Sequence, residues 1–165
     1  MSQQPEQFHG VWKLKEWSVT HAPSNTTRLP FGGQVDGHII YSPDGWVSAT
    51  LMEKNRAPVS QDRLATGQLK QQLLQNPQAP LAQDEVEKIL PWFLAGFGYI
   101  SYCGPFDVDD KRVHHHIHNS MMPQWVGTTL TRDCLFSEQG NQLTLSAAQG
   151  DTTDTLVWQR LEQAL

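Results

Sequence analysis

A chain of 165 residues, 38% apolar and 18% charged, is long enough to bury a hydrophobic core and has the composition of an ordinary globular domain rather than a disordered one. Its 12 Lys and Arg against 17 Asp and Glu give a net charge of −5, and the basic residues are scattered, which excludes a nucleic-acid-binding surface. No uncharged apolar run reaches the roughly 20 residues that span a bilayer, so no membrane partner is expected.

The opening MSQQPEQFHG has neither the basic start nor the apolar stretch of a secretory signal. Free thiols at Cys103 and Cys134 fit a reducing compartment, so the expected location is cytoplasmic. Residues 1–9 are polar and read as a flexible N-terminal arm, leaving 10–165 as a single domain. From Gly10 to Val19 the sequence alternates. Trp12, Leu14, Glu16 and Ser18 share one face, and Val11, Lys13, Lys15 and Trp17 share the other. The lysines mark the second face as solvated, so Trp12 and Leu14 are predicted to point inward.

A breaker-rich loop runs from His21 to Gly33. Two β-rich runs, Val35–Tyr41 and Trp46–Met52, flank Ser42-Pro43-Asp44-Gly45. Pro presets the turn and Gly accepts the positive φ after it, so a hairpin is predicted. Helices are predicted over Gln61–Leu74 and Gln83–Leu94. The second has acidic residues in its first turn, an apolar stripe of Val86, Ile89, Leu90 and Phe93, and Pro91 expected to kink or end it. Strands resume with YISYCGPFDV and RVHHHIHNS, then Thr128–Phe136, Gln142–Ala147 and Thr155–Leu161, joined by tight turns. The pattern predicts a mainly β fold, an antiparallel eight-stranded up-and-down barrel with a helical insertion between its third and fourth strands that caps an open end.

Gly10-Val11-Trp12 opening the first strand, with Arg160 closing the last, resembles the lipocalin pattern, in which the Trp plugs one barrel end and the Arg packs across it. YSPDGWVSA (41–49), YCGPFDV (102–108), VHHHIHNSMMPQWVGT (113–128) and LVWQR (156–160), in this order and spacing, are similar to the lipocalin-like domain family of small cytoplasmic barrels. The resemblance runs from Gly10 to Arg160. It implies a calycin-type barrel with a central pocket and structural roles for Gly10, Trp12 and Arg160. Its members are suspected of binding or rearranging small organic molecules. The sequence departs from the family pattern at His114 and His118, where an apolar and an acidic residue are expected.

The residues themselves nominate a pocket. On a strand, Val113, His115 and Ile117 share one face, and His114, His116 and His118 the other. Three imidazoles on one side are candidate zinc ligands, whereas an inward Val113 and Ile117 would carry His115 into the interior. Tyr102 shares a face with Ile100, Phe106 and Val108, and Tyr41 ends a strand. Each is a pocket phenol or a core residue bonded elsewhere. Arg132, on the face of Leu130, Cys134 and Phe136, would reach a ligand oxygen or form a rim ion pair. Trp125 lies in a Met-rich loop that would line the mouth or pack beneath the helices.

The predicted ligand-binding set is therefore Tyr41, Tyr102, His115, Trp125 and Arg132, with no metal ligand assigned. The expected partner is a small apolar or aromatic molecule. An isomerase, cyclase or dehydratase using the same pocket is the alternative, and a metal site on the His114–His118 strand is a second. A homodimer through Trp17 and the amphipathic helix is a further possibility. No nucleophile elbow, phosphate loop or dinucleotide fingerprint is present, and no cofactor is expected.

Overall fold

The computed structural model describes residues 4–59 and 62–162. In chain order the strands are β1 (Gly10–His21), β2 (Thr26–Arg28), β3 (Val35–Tyr41), β4 (Trp46–Glu53), β5 (Tyr99–Asp109), β6 (Arg112–His116), β7 (Asn119–Ser120), β8 (Thr129–Phe136), β9 (Gln142–Gln149) and β10 (Thr152–Arg160). Two helices, α1 (Arg63–Gln75) and α2 (Gln83–Phe97), lie between β4 and β5. The eight longer strands form an antiparallel meander, β1-β3-β4-β5-β6-β8-β9-β10, and β1 pairs back onto β10 from Trp12↔Arg160 to His21↔Thr152. Closure removes the open edges that an eight-stranded sheet would otherwise expose. β2 extends β1, and β7 pairs with β5.

Local chemistry places the turns. At Ser42–Gly45 the Gly45 N–H donates to the Ser42 carbonyl, and Gly45 takes φ +80°, as the hairpin reading requires. The His-rich run is not one strand, however. β6 pairs with both β5 and β8, and after a break at Ile117–His118 the chain continues along β5 as Asn119–Ser120, shifted by one residue. At this break the backbone approaches β5 closely, which glycine at position 104 allows. A Cβ there would lie 1.8 Å from the His116 carbonyl oxygen.

The first strand overturns two expectations. Its pairing with β10 steps from Leu14↔Trp158 to Glu16↔Val157, leaving Lys15 as an unpaired extra residue. Such a bulge reverses the alternation beyond it. Trp17 and Val19 therefore turn inward, while Glu16 is exposed. Trp17 is thus not available to a dimer face. It packs against the core, bonds Asp154 through its indole N–H (2.8 Å) and meets the Phe31 ring edge-on.

Nor is the whole of 1–9 loose. Pro5–Gln7 form a 3₁₀ turn, and Phe8 is fully buried, its ring against Phe136 (4.9 Å), Tyr41 (5.2 Å) and Phe106 (6.2 Å). The apolar ring gains about 1.5–3 kcal/mol by leaving water, which ties the arm down. Trp12 closes the same end. Its N–H donates to the Phe8 carbonyl (2.7 Å), and the Arg160 guanidinium stacks 4.0 Å from its ring centroid. Arg160 also donates to the carbonyls of Gln7, His9 and Gly140, and a side chain at Gly10 would crowd it at 3.2 Å.

Residues 55–98 form a compact unit of their own. The predicted start of the first helix at Gln61 lies outside the described residues. Asp62 caps α1 by accepting from the Ala65 N–H. α2 runs through Pro91 to Phe97 instead of stopping at it. A proline at this position removes the bond to the carbonyl four residues back, and the turns on either side hold the helix. The unit contains a groove of about 500 Å³ lined by Leu69, Leu73, Ile89 and Trp92 among others. No helix among the described residues is long and apolar enough to cross a membrane.

Candidate functional site

Above the Phe8–Trp12 plug the barrel interior holds a cavity of about 160 Å³. Its apolar wall includes Leu51, Ile100, Leu145 and Leu156, and three indoles, Trp17, Trp125 and Trp158, face it alongside them. Tyr102, Arg132 and Asp154 supply polar groups. The antiparallel pleat explains the selection, since alternate residues of β4, β5, β9 and β10 point inward.

The predicted residues divide into two layers. Tyr102, Trp125 and Arg132 stand on the cavity wall, and the Tyr102 and Trp125 rings meet edge-on at 6.1 Å. Tyr41 and His115 do not line the cavity. Both are fully buried behind it, and His115 bonds Tyr41 on one side and Tyr102 on the other. Tyr41 Oη lies 2.9 Å from His115 Nε2, and Tyr102 Oη lies 3.0 Å from His115 Nδ1. Both imidazole nitrogens are therefore occupied by phenols.

Burial sets the electrostatics of this trio. Desolvation drives the His115 pKa down to about 3, with a smaller push from the Arg132 guanidinium, so the imidazole is neutral at physiological pH. The same burial raises Tyr102 to about 12, opposed by Arg132, and lifts Tyr41 well above the ordinary phenol range. A neutral imidazole with both nitrogens engaged is poorly suited to take a proton from a substrate. The trio is a chain of fixed dipoles behind one wall of the cavity.

Two further wall groups matter. Arg132 donates from Nη1 to the Thr131 carbonyl (3.0 Å), and no carboxylate among the described residues pairs with it within 4 Å. The rim ion pair considered for it does not form. Trp158 is 1% exposed, and its indole N–H has no acceptor, alone among the buried side-chain polar atoms of the described residues. A buried donor left unmade costs about 1–3 kcal/mol, so the position calls for an explanation.

The other chemical candidates separate cleanly from the cavity. His114 and His116 lie on the outer face, and each has both ring nitrogens engaged. His114 bonds Thr131 (2.9 Å) and Asp109 (3.1 Å), and His116 bonds Thr129 (3.0 Å) and Asp107 (2.6 Å). His118 is exposed, its ring edge-on to Trp46. Side chains two apart on a strand sit roughly 6.5–7 Å from each other, too far for their rings to converge without help from a neighbour. Among the described residues no group of three His, Cys, Asp or Glu could hold a metal ion, which corrects the zinc alternative. Cys103 and Cys134 are free, and burial pushes Cys134 up to about 11, away from nucleophilic use.

Sequence reasoning missed Trp17, Trp158 and Asp154. The bulge at Lys15 hides the first, and Asp154 falls before the predicted strand start at Thr155 although β10 begins at Thr152. Trp158 was legible, because it alternates with Leu156 and Arg160.

Comparison with known proteins finds a family and several solved structures of low identity. Solved structures similar to the chain include fatty-acid-binding protein 1 of Echinococcus granulosus, at 8% identity and TM-score 0.40, covering 95% of this chain and 99% of that one. A point mutant of the fluorescent protein UnaG matches at 8% identity and TM-score 0.41, covering 97% and 100% respectively. No curated protein matches the chain significantly. A family description, the lipocalin-like domain, matches residues 9–161, and the chain belongs to that family.

Proposed function

We propose that this barrel binds a small apolar or aromatic molecule in its interior cavity. The observation that carries the reading is the cavity of about 160 Å³ walled by three tryptophans and aliphatic side chains. Its size sets the scale of the ligand. An apolar cavity of about 150 Å³ accepts benzene, whereas drug-sized ligands occupy pockets of roughly 300–1,000 Å³. A compound built on one ring fits. Tyr102, Trp125 and Arg132 contact it directly, and Tyr41 and His115 support Tyr102 from behind. The free thiols Cys103 and Cys134 suit action in the cytoplasm.

Native mass spectrometry of protein isolated from its source, with a variant that fills the cavity as control, tests this reading. Ala147 lines the cavity, so Ala147→Trp places an indole in the ligand's volume. The wild-type protein should carry or take up a one-ring compound that Ala147→Trp does not. Equal uptake by a folded Ala147→Trp would put binding elsewhere and overturn the proposal.

A further inference from the structure

The Tyr41–His115–Tyr102 chain has two ways to arrange its hydrogens, and burial decides between them. Neutral imidazole carries one N–H donor and one bare nitrogen acceptor. In the first arrangement Tyr102 donates to Nδ1, and the Nε2–H donates to the Tyr41 oxygen. The Tyr41 hydrogen then has nowhere to go, because that phenol is fully buried and His115 is its only hydrogen-bond partner among the described residues. In the second, Tyr41 donates to Nε2, and the Nδ1–H donates to the Tyr102 oxygen. The leftover hydrogen is now on Tyr102, whose side chain lines the cavity. Leaving a hydroxyl hydrogen buried and unmade disfavours the first arrangement by roughly 5- to 150-fold.

We propose that the chain runs in one direction, from Tyr41 through His115 to Tyr102, so that Tyr102 offers its hydroxyl hydrogen to the cavity and the ligand is a one-ring compound bearing a carbonyl or carboxylate oxygen. The inference rests on the binding reading above and narrows its ligand class. One independent wall group agrees with it: among the described residues no carboxylate pairs with Arg132. The one wall carboxylate, Asp154, already accepts the Trp17 N–H. The Tyr102 hydroxyl and the Arg132 guanidinium are thus two donors on the wall, and together they select an oxygen acceptor on the ligand.

Two measurements test the proposal. In ligand-free protein, ¹⁵N NMR of the His115 ring should show a protonated Nδ1 and a bare Nε2. The opposite tautomer overturns the directed chain whatever the protein binds. NMR titration with acetophenone and with isopropylbenzene, which replaces the carbonyl oxygen by a methyl group, then reads the ligand class. Tyr102→Phe should weaken acetophenone about tenfold and change isopropylbenzene by less than twofold. If Tyr102→Phe affects both probes equally, the donor role of Tyr102 fails while cavity binding stands. If neither probe binds the wild-type protein, cavity binding of one-ring compounds fails, and the tautomer alone decides the direction of the chain.

Discussion

Holding His115 neutral inside the barrel makes folding sensitive to mild acid. In an unfolded chain this imidazole takes a proton below its ordinary value of 6.5, but in the folded barrel it resists until about 3. Stability from this residue is therefore fully present above about pH 6.5 and is lost as pH falls toward 3, because only the unfolded state binds the proton in that window. Moving one proton-binding group from 6.5 to about 3 corresponds to on the order of 5 kcal/mol, a large share of a typical domain's 5–15 kcal/mol. Urea unfolding of the wild-type protein and of His115→Gln, between about pH 7.5 and 4.5, isolates the effect, since glutamine does not titrate. Below about pH 6 the wild-type stability should fall more steeply than the variant's, by about 1.4 kcal/mol per pH unit. Parallel profiles would refute the reasoning. NMR titration of His115 in the wild-type protein gives the same answer without a variant, and a midpoint near 6.5 would be equally fatal.

Phe8→Ala should destabilise the barrel by about 3–5 kcal/mol in urea unfolding, because it empties a site ringed by Tyr41, Phe106 and Phe136. A loss below about 1 kcal/mol would return residues 5–9 to the status of a loose arm. Gly104→Ala sets a methyl against the His116 carbonyl, and a backbone atom cannot step aside as a side chain can. A lower thermal midpoint and a loss of at least about 3 kcal/mol are expected, whereas an unchanged midpoint would show that the close approach has room. Deleting Lys15 removes the bulge and makes Leu14↔Trp158 and Glu16↔Val157 consecutive pairs, so Trp17 should stay inward, with unchanged tryptophan emission and retained probe binding; a red-shifted emission would show that Lys15 is not the extra residue.

The barrel was legible because its evidence is redundant. Each strand from Val35 onward repeats the period-two pattern, and Ser42-Pro43-Asp44-Gly45 fixes a register locally. His115 could be sent inward for the same reason, since Val113 and Ile117 flank it on one face of a strand. What stayed hidden depended on single residues with no pattern of their own. Lys15 looks like any solvated lysine, yet as the unpaired residue it reverses Trp17. Phe8 is one apolar residue in a polar run, and only the plug it completes reveals its purpose. The link from Tyr41 to His115 spans 74 positions, and nothing local in either segment announces it.

The pairing at the end of β4 also bears on how the molecule could be rebuilt. Met52 and Tyr99 are direct cross-strand partners, so the chain leaves the sheet and re-enters it at one hairpin position. Every rung of the closed barrel is formed without residues 55–98. A turn of a few residues could therefore join the two strand ends, and by loop-closure scaling a tenfold shorter connector recovers about 2 kcal/mol if the longer one is flexible. The helical segment is in this sense a cassette. Excision, exchange or fusion at this point interrupts no strand pairing of the ring.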